Sequence, residues 1–224
     1  MTDQLTLGNF VDLAACLHGS RFIETNPFAY VGKALGPWVE ALLDELGVGD
    51  QPLVLGSVAT GAYVQGRVYV AEGATIEPTA YVQGPCYIGP GAEIRHGAYI
   101  RGQVYIGPKA VVGHTTEVKG SIFFDHAKAG HFAYVGDSIL GRDTNLGAGT
   151  KLANLPLRRS VIKVMHPKTG AWLSTGLHKF SAIMGDESQT GCNAVLSPGT
   201  LLMPKTAVLP CVHYRGTLTH GIAR

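Results

Sequence analysis

The sequence predicts a mainly β protein, a left-handed parallel β-helix built from hexapeptide repeats. Three observations predict it. Twelve consecutive hexapeptides run through residues 58–129, opening on Val58, Val64, Val70, Ile76, Val82, Ile88, Ile94, Ile100, Ile106, Val112, Val118 and Phe124. The fourth residue after nearly every opener is small or apolar, as at Ala62, Ala74, Ala80, Cys86, Ala92 and Ala98, and only the last, Lys128, breaks that rule. Glycines punctuate the corners (Gly61, Gly66, Gly73, Gly84, Gly91), where a tight turn favours a residue without a Cβ. A fixed self-similar period is the mark of a solenoid. Three hexads make one turn of three short strands, and strand alternation sends the opener and the small residue inward together. The left hand is the known exception to the right-handed crossover preference.

The elements follow in order. Residues 1–52 lie outside the hexapeptide frame and read as a small helical N-terminal cap. Stretches 9–16 and 38–46 have helix-like apolar spacing, with Pro37 in a first turn and Gly47 as a stop. The cap is expected to cover the open edge of the first coil, which would otherwise invite strand addition. The β-helix domain is assigned to 53–211. Its frame shifts between Asp125 and Leu140, resumes at Leu140, Leu146 and Leu152, and leaves on an excursion over 155–182. Pro167-Lys168-Thr169-Gly170 inside that excursion is a hairpin signal. The frame returns at Met184, Thr190, Leu196, Leu202 and Val208, and 212–224 is left as a C-terminal tail of unassigned form. Roughly seven turns at about 4.8 Å each predict a prism about 30 Å long.

Composition narrows the function. Hydrophobic residues are 46% of the chain and charged residues 15%, which supports a packed core and argues against disorder. A net charge of +2 is too small to propose nucleic acid as a partner. The four cysteines (Cys16, Cys86, Cys192, Cys211) form no CxxC pair, so a reducing compartment and no structural metal are expected. No stretch approaches a membrane span, and Met1-Thr2-Asp3-Gln4-Leu5 does not open a signal peptide, so the expectation is a soluble cytoplasmic protein.

Residues three hexads apart stack on one face, which maps the surface. Tyr63, Tyr81 and Tyr99 form one outward column; Tyr69, Tyr87, Tyr105 and Phe123 form another. Such aromatic strips are too apolar for bare surface, so the N-terminal helices or neighbouring subunits are expected to cover them. A third column reads Gln65, Gln83, Arg101, Lys119. Two cations one strand spacing apart repel, and a bound anion removes that penalty; a solvated surface pair is the plainer reading. Just beyond, the frame break carries His126 and His131. A break in a rigid coil opens a notch, and a neutral imidazole there can act as a general base.

The run from Lys128 through His131, Tyr134 and Asp137, followed by Asn145-Leu146-Gly147-Ala148-Gly149-Thr150 and Ala153-Asn154, resembles the acetyltransferase half of the bifunctional N-acetylglucosamine-1-phosphate uridyltransferase/glucosamine-1-phosphate acetyltransferase. It is closer still to the corresponding domain of archaeal-type sugar-1-phosphate nucleotidylyltransferases, where a similar excursion precedes a segment like Lys179-Phe180-Ser181-Ala182. The resemblance implies N-acetyl transfer from acetyl-CoA to an amino-sugar 1-phosphate by a homotrimer. It implies His131 as the base, Asn145 and Asn154 positioning the amine and the histidine, and Arg101, Lys119 and Tyr134 holding the sugar phosphate. Ala148, and Cys192 from an adjacent subunit, are implied along the coenzyme A groove. Leu155 and a basic excursion replace the family's tyrosine and short loop, and Lys163, Arg158 and Arg159 are candidates for a missing phosphate ligand. The 52 residues before the coil are too short for a nucleotidyltransferase domain, so uridyl transfer is not expected; a separate nucleotidyltransferase is a possible partner.

Two other readings stay open. One is a non-catalytic sugar-nucleotide-binding or scaffold module with the same coil. The other is a zinc-dependent, carbonic-anhydrase-like trimer, because His126 and His131 are five residues apart and His96 and His114 are available. Neither upstream histidine shares a column with His126 in a regular coil.

Overall fold

A computed structural model describes residues 5–22 and 26–224. Three parallel sheets of nine, nine and eight strands form the three faces of a β-helix, and the strand orders advance by one turn at each step. The left-handed β-helix predicted by the repeat is therefore the fold. Openers and small residues line its interior, from Val68, Val70 and Ala74 down to Leu202 and Val208, nearly all fully buried.

The coil is longer than the seven turns expected, with nine rungs on two of its faces. Residues 212–224 add to it, because His213–Tyr214, Thr217–Leu218 and Ile222–Ala223 each pair in parallel with the rung before. The repeat also slips earlier than expected. Tyr87 pairs with Tyr105 at the regular spacing, but Tyr105 pairs with Ile122 and Ile122 with Ile139, one residue short of three hexads. One residue is lost at the corner after Val118, so the inward side chain is Phe123, and a second at the corner after Val135, inside the stretch where the shift was expected. Phe124, expected inside, faces out with Ile122. Phe123 is therefore not part of the outward aromatic column.

That outward column is covered. Tyr87, Tyr105, Ile122, Phe124, Ile139, Ile183 and Leu201 form a second core with Leu7, Phe10, Phe22, Leu35, Val39, Leu42 and Leu43. Fully burying each such leucine or phenylalanine is worth about 1.5–3 kcal/mol. The helix Leu35–Glu45 lies here, and Gly47 ends it at φ +73°. Arg67 of the coil holds its far end by bonding Glu40, Asp44 and the Val48 carbonyl oxygen. Stretch 9–16 is not the helix its spacing predicts; it holds only the short 3-10 turns Leu7–Asn9 and Leu13–Ala15. Between those turns its backbone bonds to the coil: Asp12 N donates to Asp186 Oδ2 (2.8 Å), and the Phe10 carbonyl accepts from Asp186 N (2.9 Å).

The N-terminal segment thus clads one face and does not seal the first edge. The opening strand Leu53–Val54 pairs only with Tyr69 and Val70, and Val54 and Leu55 are exposed. The excursion carries the antiparallel hairpin Lys163–Met165 and Trp172–Ser174 around Pro167–Gly170. Val164 is fully buried against the second core, and Thr217 Oγ1 donates to the Met165 carbonyl. Among the described residues no helix is long and apolar enough to cross a membrane.

Candidate functional site

The sequence-predicted residues fall into two clusters on either side of one corner. The first is a groove of roughly 550 Å³ on the second face, lined by His131, Asn145, Ala148 and Cys192, with Arg95, Lys109, His126 and Lys128 also on its walls. His131 ends the strand Lys128–His131, and its carbonyl accepts from Gly149 N (3.1 Å). Its side chain is exposed to the groove. The shortened turn brings His114 into register with His131, and the His96 and His114 rings stack with centroids 4.2 Å apart. Three consecutive rungs therefore carry a histidine column; the regular period predicts the His96–His114 stack but not the addition of His131. Gly113 makes this register possible: a Cβ there would stand 1.8 Å from the Gly130 carbonyl oxygen. Among the described residues no three His, Cys, Asp or Glu side chains are placed to hold a metal ion.

The second cluster is a cleft of roughly 490 Å³ where the third face meets the N-terminal segment and the end of the excursion. Arg101, Lys119 and Asp137 line it, with Lys33, His178 and Lys179 from the two flanking segments. Here the stacking argument needs correction. Arg101 and Lys119 do occupy successive rungs, but each has a carboxylate partner. Arg101 Nη1 donates to Glu117 Oε1 at 2.6 Å, and Lys119 Nζ donates to Asp137 Oδ1 at 2.7 Å. Their mutual repulsion is offset within the chain, so it does not by itself demand an anion.

Asp137 is the residue that the sequence reading missed. Its side chain is 2% exposed, and its backbone sits in the left-handed region at φ +48°. It accepts from Lys119 and from Asn154 Nδ2, and its backbone N donates to the Lys119 carbonyl (2.9 Å). Asn154 also meets the Tyr134 hydroxyl, whose pKa burial pushes up, with Asp137 and Glu117 adding to the rise. A Cβ on Gly136 would stand 2.6 Å from that hydroxyl, so glycine is what admits the network. Lys119, Asp137, Asn154 and Tyr134 thus form one connected set. A signal for Asp137 existed, since it lies three hexads beyond Lys119 and the stacking rule covers it. Lys179 and Lys33 had none, because their segments lie outside the repeat.

The structure therefore gathers His131, Asn145, Ala148 and Cys192 in one place, within a single chain, and Arg101, Lys119, Tyr134 and Asn154 in another. His131 and Gly136, the register partner of Lys119, are five residues apart, which bounds their separation at about 17 Å. Lys163 joins neither cluster and lines a third cleft beside the hairpin.

Curated relatives match parts of the chain. A bifunctional sugar-1-phosphate nucleotidylyltransferase/acetyltransferase from Sulfurisphaera tokodaii is 36% identical over 84 residues, 38% of this chain and 20% of the relative. The bifunctional protein GlmU of Methanococcus vannielii is 36% identical over 74 residues, 33% of this chain and 17% of the relative. The matched part is thus a fifth or less of each relative's length. A solved structure of perosamine N-acetyltransferase from Caulobacter crescentus, in complex with CoA and GDP-perosamine, aligns at 18% identity over 51% of this chain and 54% of that one, with a TM-score of 0.34. The sequence profile of the GMPPB C-terminal domain matches residues 82–210, more than half of the chain and the stretch of coil that carries both clusters. By that match the chain belongs to the GMPPB C-terminal domain family.

Proposed function

We propose that the protein is an N-acetyltransferase that moves an acetyl group from acetyl-CoA to the amine of an amino-sugar 1-phosphate. One observation carries the reading: His131, Asn145, Ala148 and Cys192 share a groove one corner away from the Lys119–Asp137–Asn154–Tyr134 network. The names of the relatives support it, since one is a sugar-1-phosphate nucleotidylyltransferase/acetyltransferase.

In this reading the sugar phosphate lies against Arg101, Lys119 and Tyr134, with Lys179 in the same cleft. Charge-assisted bonds to a phosphate are the strong kind, and an arginine can make two at once. Coenzyme A runs along Ala148 and Cys192, its phosphates near Lys109 and Lys128. His131 takes a proton from the amine as nitrogen attacks the thioester carbonyl. The tetrahedral adduct collapses, the carbon–sulfur bond breaks, and the imidazolium returns the proton to the leaving thiolate. Asn145 orients the amine beside the imidazole. Asn154 acts one step removed, through Asp137 and Tyr134 on the phosphate side.

The working unit is a homotrimer. Three copies around a threefold axis set the His131 groove of one copy beside the third face of the next, and cyclic closure suits a three-sided column. The exposed Tyr63 and Tyr99 on that face support it, because an aromatic ladder is poor solvent surface.

Release of free thiol from acetyl-CoA, measured across a panel of amino-sugar 1-phosphates, tests the reading. His131→Ala should lower kcat by about 10²–10⁴-fold, the range of a general base. Arg101→Ala should act mainly on the KM of the acceptor. Full turnover by His131→Ala removes the catalytic assignment, and no thiol release with any acceptor leaves the scaffold reading.

A further inference from the structure

The flank of the hairpin carries a site that neither cluster uses. Two adjoining clefts, of roughly 450 and 460 Å³, share Pro156, Ser160, Pro198 and Arg215 as a common wall. Lys163 and Trp172 line one, and Arg158 lines the other. No aspartate or glutamate lines either cleft. The arginines on the strands and corners of the coil from Arg67 to Arg142 each have a carboxylate within reach: Arg67 has Glu40 and Asp44, Arg95 has Glu93, Arg101 has Glu117, and Arg142 has Asp143. Arg158, Lys163 and Arg215 have none among the described residues. Three cations gathered without a counter-charge favour an anion between them.

The shape adds a second requirement. Trp172 is 60% exposed, on a hairpin that is otherwise well anchored. Val161 and Pro198 flank it, so an apolar wall adjoins the cations. The anchoring is dense: Thr175 Oγ1 donates to the Ile162 carbonyl (2.8 Å), and a Cβ on Gly199 would stand 2.7 Å from the Lys163 carbonyl oxygen. On the last rungs Ser197 and His213 bond at 2.6 Å, which steadies the strand leading to Arg215. The cleft is thus built before any ligand arrives, which limits the ordering cost of binding.

We propose that this double cleft binds a nucleoside diphosphate group. The base stacks on Trp172, and the two phosphates lie between Lys163, Arg215 and Arg158. Stacking on an aromatic face tolerates any base, and the cations supply most of the affinity. The site is distinct from the His131 groove and the Lys119 cleft, so it stands or falls apart from the acetyl-transfer reading. Such a group arrives in a nucleotide sugar, since the acetyl-transfer reading sets the phosphates of coenzyme A near Lys109 and Lys128 in the other groove.

Equilibrium titration of the full-length protein with ADP, UDP, GDP and coenzyme A tests it, read by tryptophan fluorescence and calorimetry. Saturable binding is expected, weakening steeply with added salt. Arg215→Ala and Lys163→Ala should each raise Kd at least tenfold, and Trp172→Phe should abolish the fluorescence change while calorimetric binding persists. Binding of UDP or GDP that is lost in Arg215→Ala identifies a nucleotide sugar as the source; coenzyme A binding should be unchanged in that variant, because it belongs to the His131 groove, and its loss there overturns the separation of the two sites. Circular dichroism and thermal melting of the variants guard against misfolding. No saturable binding at millimolar nucleotide overturns the proposal, as does binding indifferent to Arg215 and Lys163. So does a Trp172→Ser variant that lowers the oligomeric state and leaves binding unchanged, which would make this flank a subunit contact.

Discussion

Asp137 shows how one residue decides what its neighbours can do. Its carboxylate takes a bond on each oxygen, from Lys119 on one side and Asn154 on the other. Removing it leaves a half-buried ammonium and a side-chain amide without their acceptor, and an unpaired buried charge is costly. Asp137→Ala is expected to lower stability by about 2–3 kcal/mol, read as a shift in urea midpoint. Asp137→Asn, which keeps one acceptor oxygen, should lose less; equal losses would show that the network contributes only its packing. Three of the participants, Lys119, Tyr134 and Asn154, could be picked from the sequence. Their hub could not be picked without tracing the column, because a buried aspartate in a turn has the same local signature as any corner residue.

At the scale of elements, the N-terminal segment is held by two carboxylates of the coil. Asp186 Oδ2 accepts from Asp12 N at 2.8 Å and its Oδ1 from Arg142 N at 2.7 Å, while Asp125 Oδ2 accepts from Leu17 N at 3.2 Å. Burial raises the pKa of both above the ordinary carboxylate value. For a carboxyl group whose pKa is higher folded than unfolded, the contribution to stability is full below the unfolded pKa. It fades as pH rises through the folded one. Wild type is therefore expected to gain on Asp186→Asn as pH falls from 7 toward 4.5, measured as the difference of their urea midpoints. A difference that is flat or moves the other way would show that the bonds from Asp12 and Arg142 outweigh desolvation. The same bonds explain why residues 9–16 are not the helix their spacing predicts. Periodicity reports which side chains share a side; it does not report that a backbone has better partners elsewhere.

At the scale of the whole molecule, the column presents three unlike faces. One is clad by the N-terminal segment, one holds the His131 groove, and one carries the tyrosine ladder and the basic pair. Association through the two open faces is what the proposed chemistry needs, so sedimentation equilibrium should give three times the chain mass. Charged substitutions at Tyr63 and Tyr99 should release monomer and lower activity together. An active monomer would mean that one chain suffices to bring His131 to the acceptor.

The repeat by itself determined the coil, its parallel rungs, its inward residues up to Val118 and the place of the hairpin. All of these follow from alternation and period, which are properties of a few consecutive residues. Only the tertiary structure decided which side chains meet. Omitting one residue at the corner after Val118 turns Phe124 outward and brings His114 beside His131, and the fold separately pairs Arg101 with Glu117 and Lys119 with Asp137. Contacts between rungs depend on the cumulative register of the whole turn, so one missing residue rewrites them while the local pattern still reads as a hexapeptide.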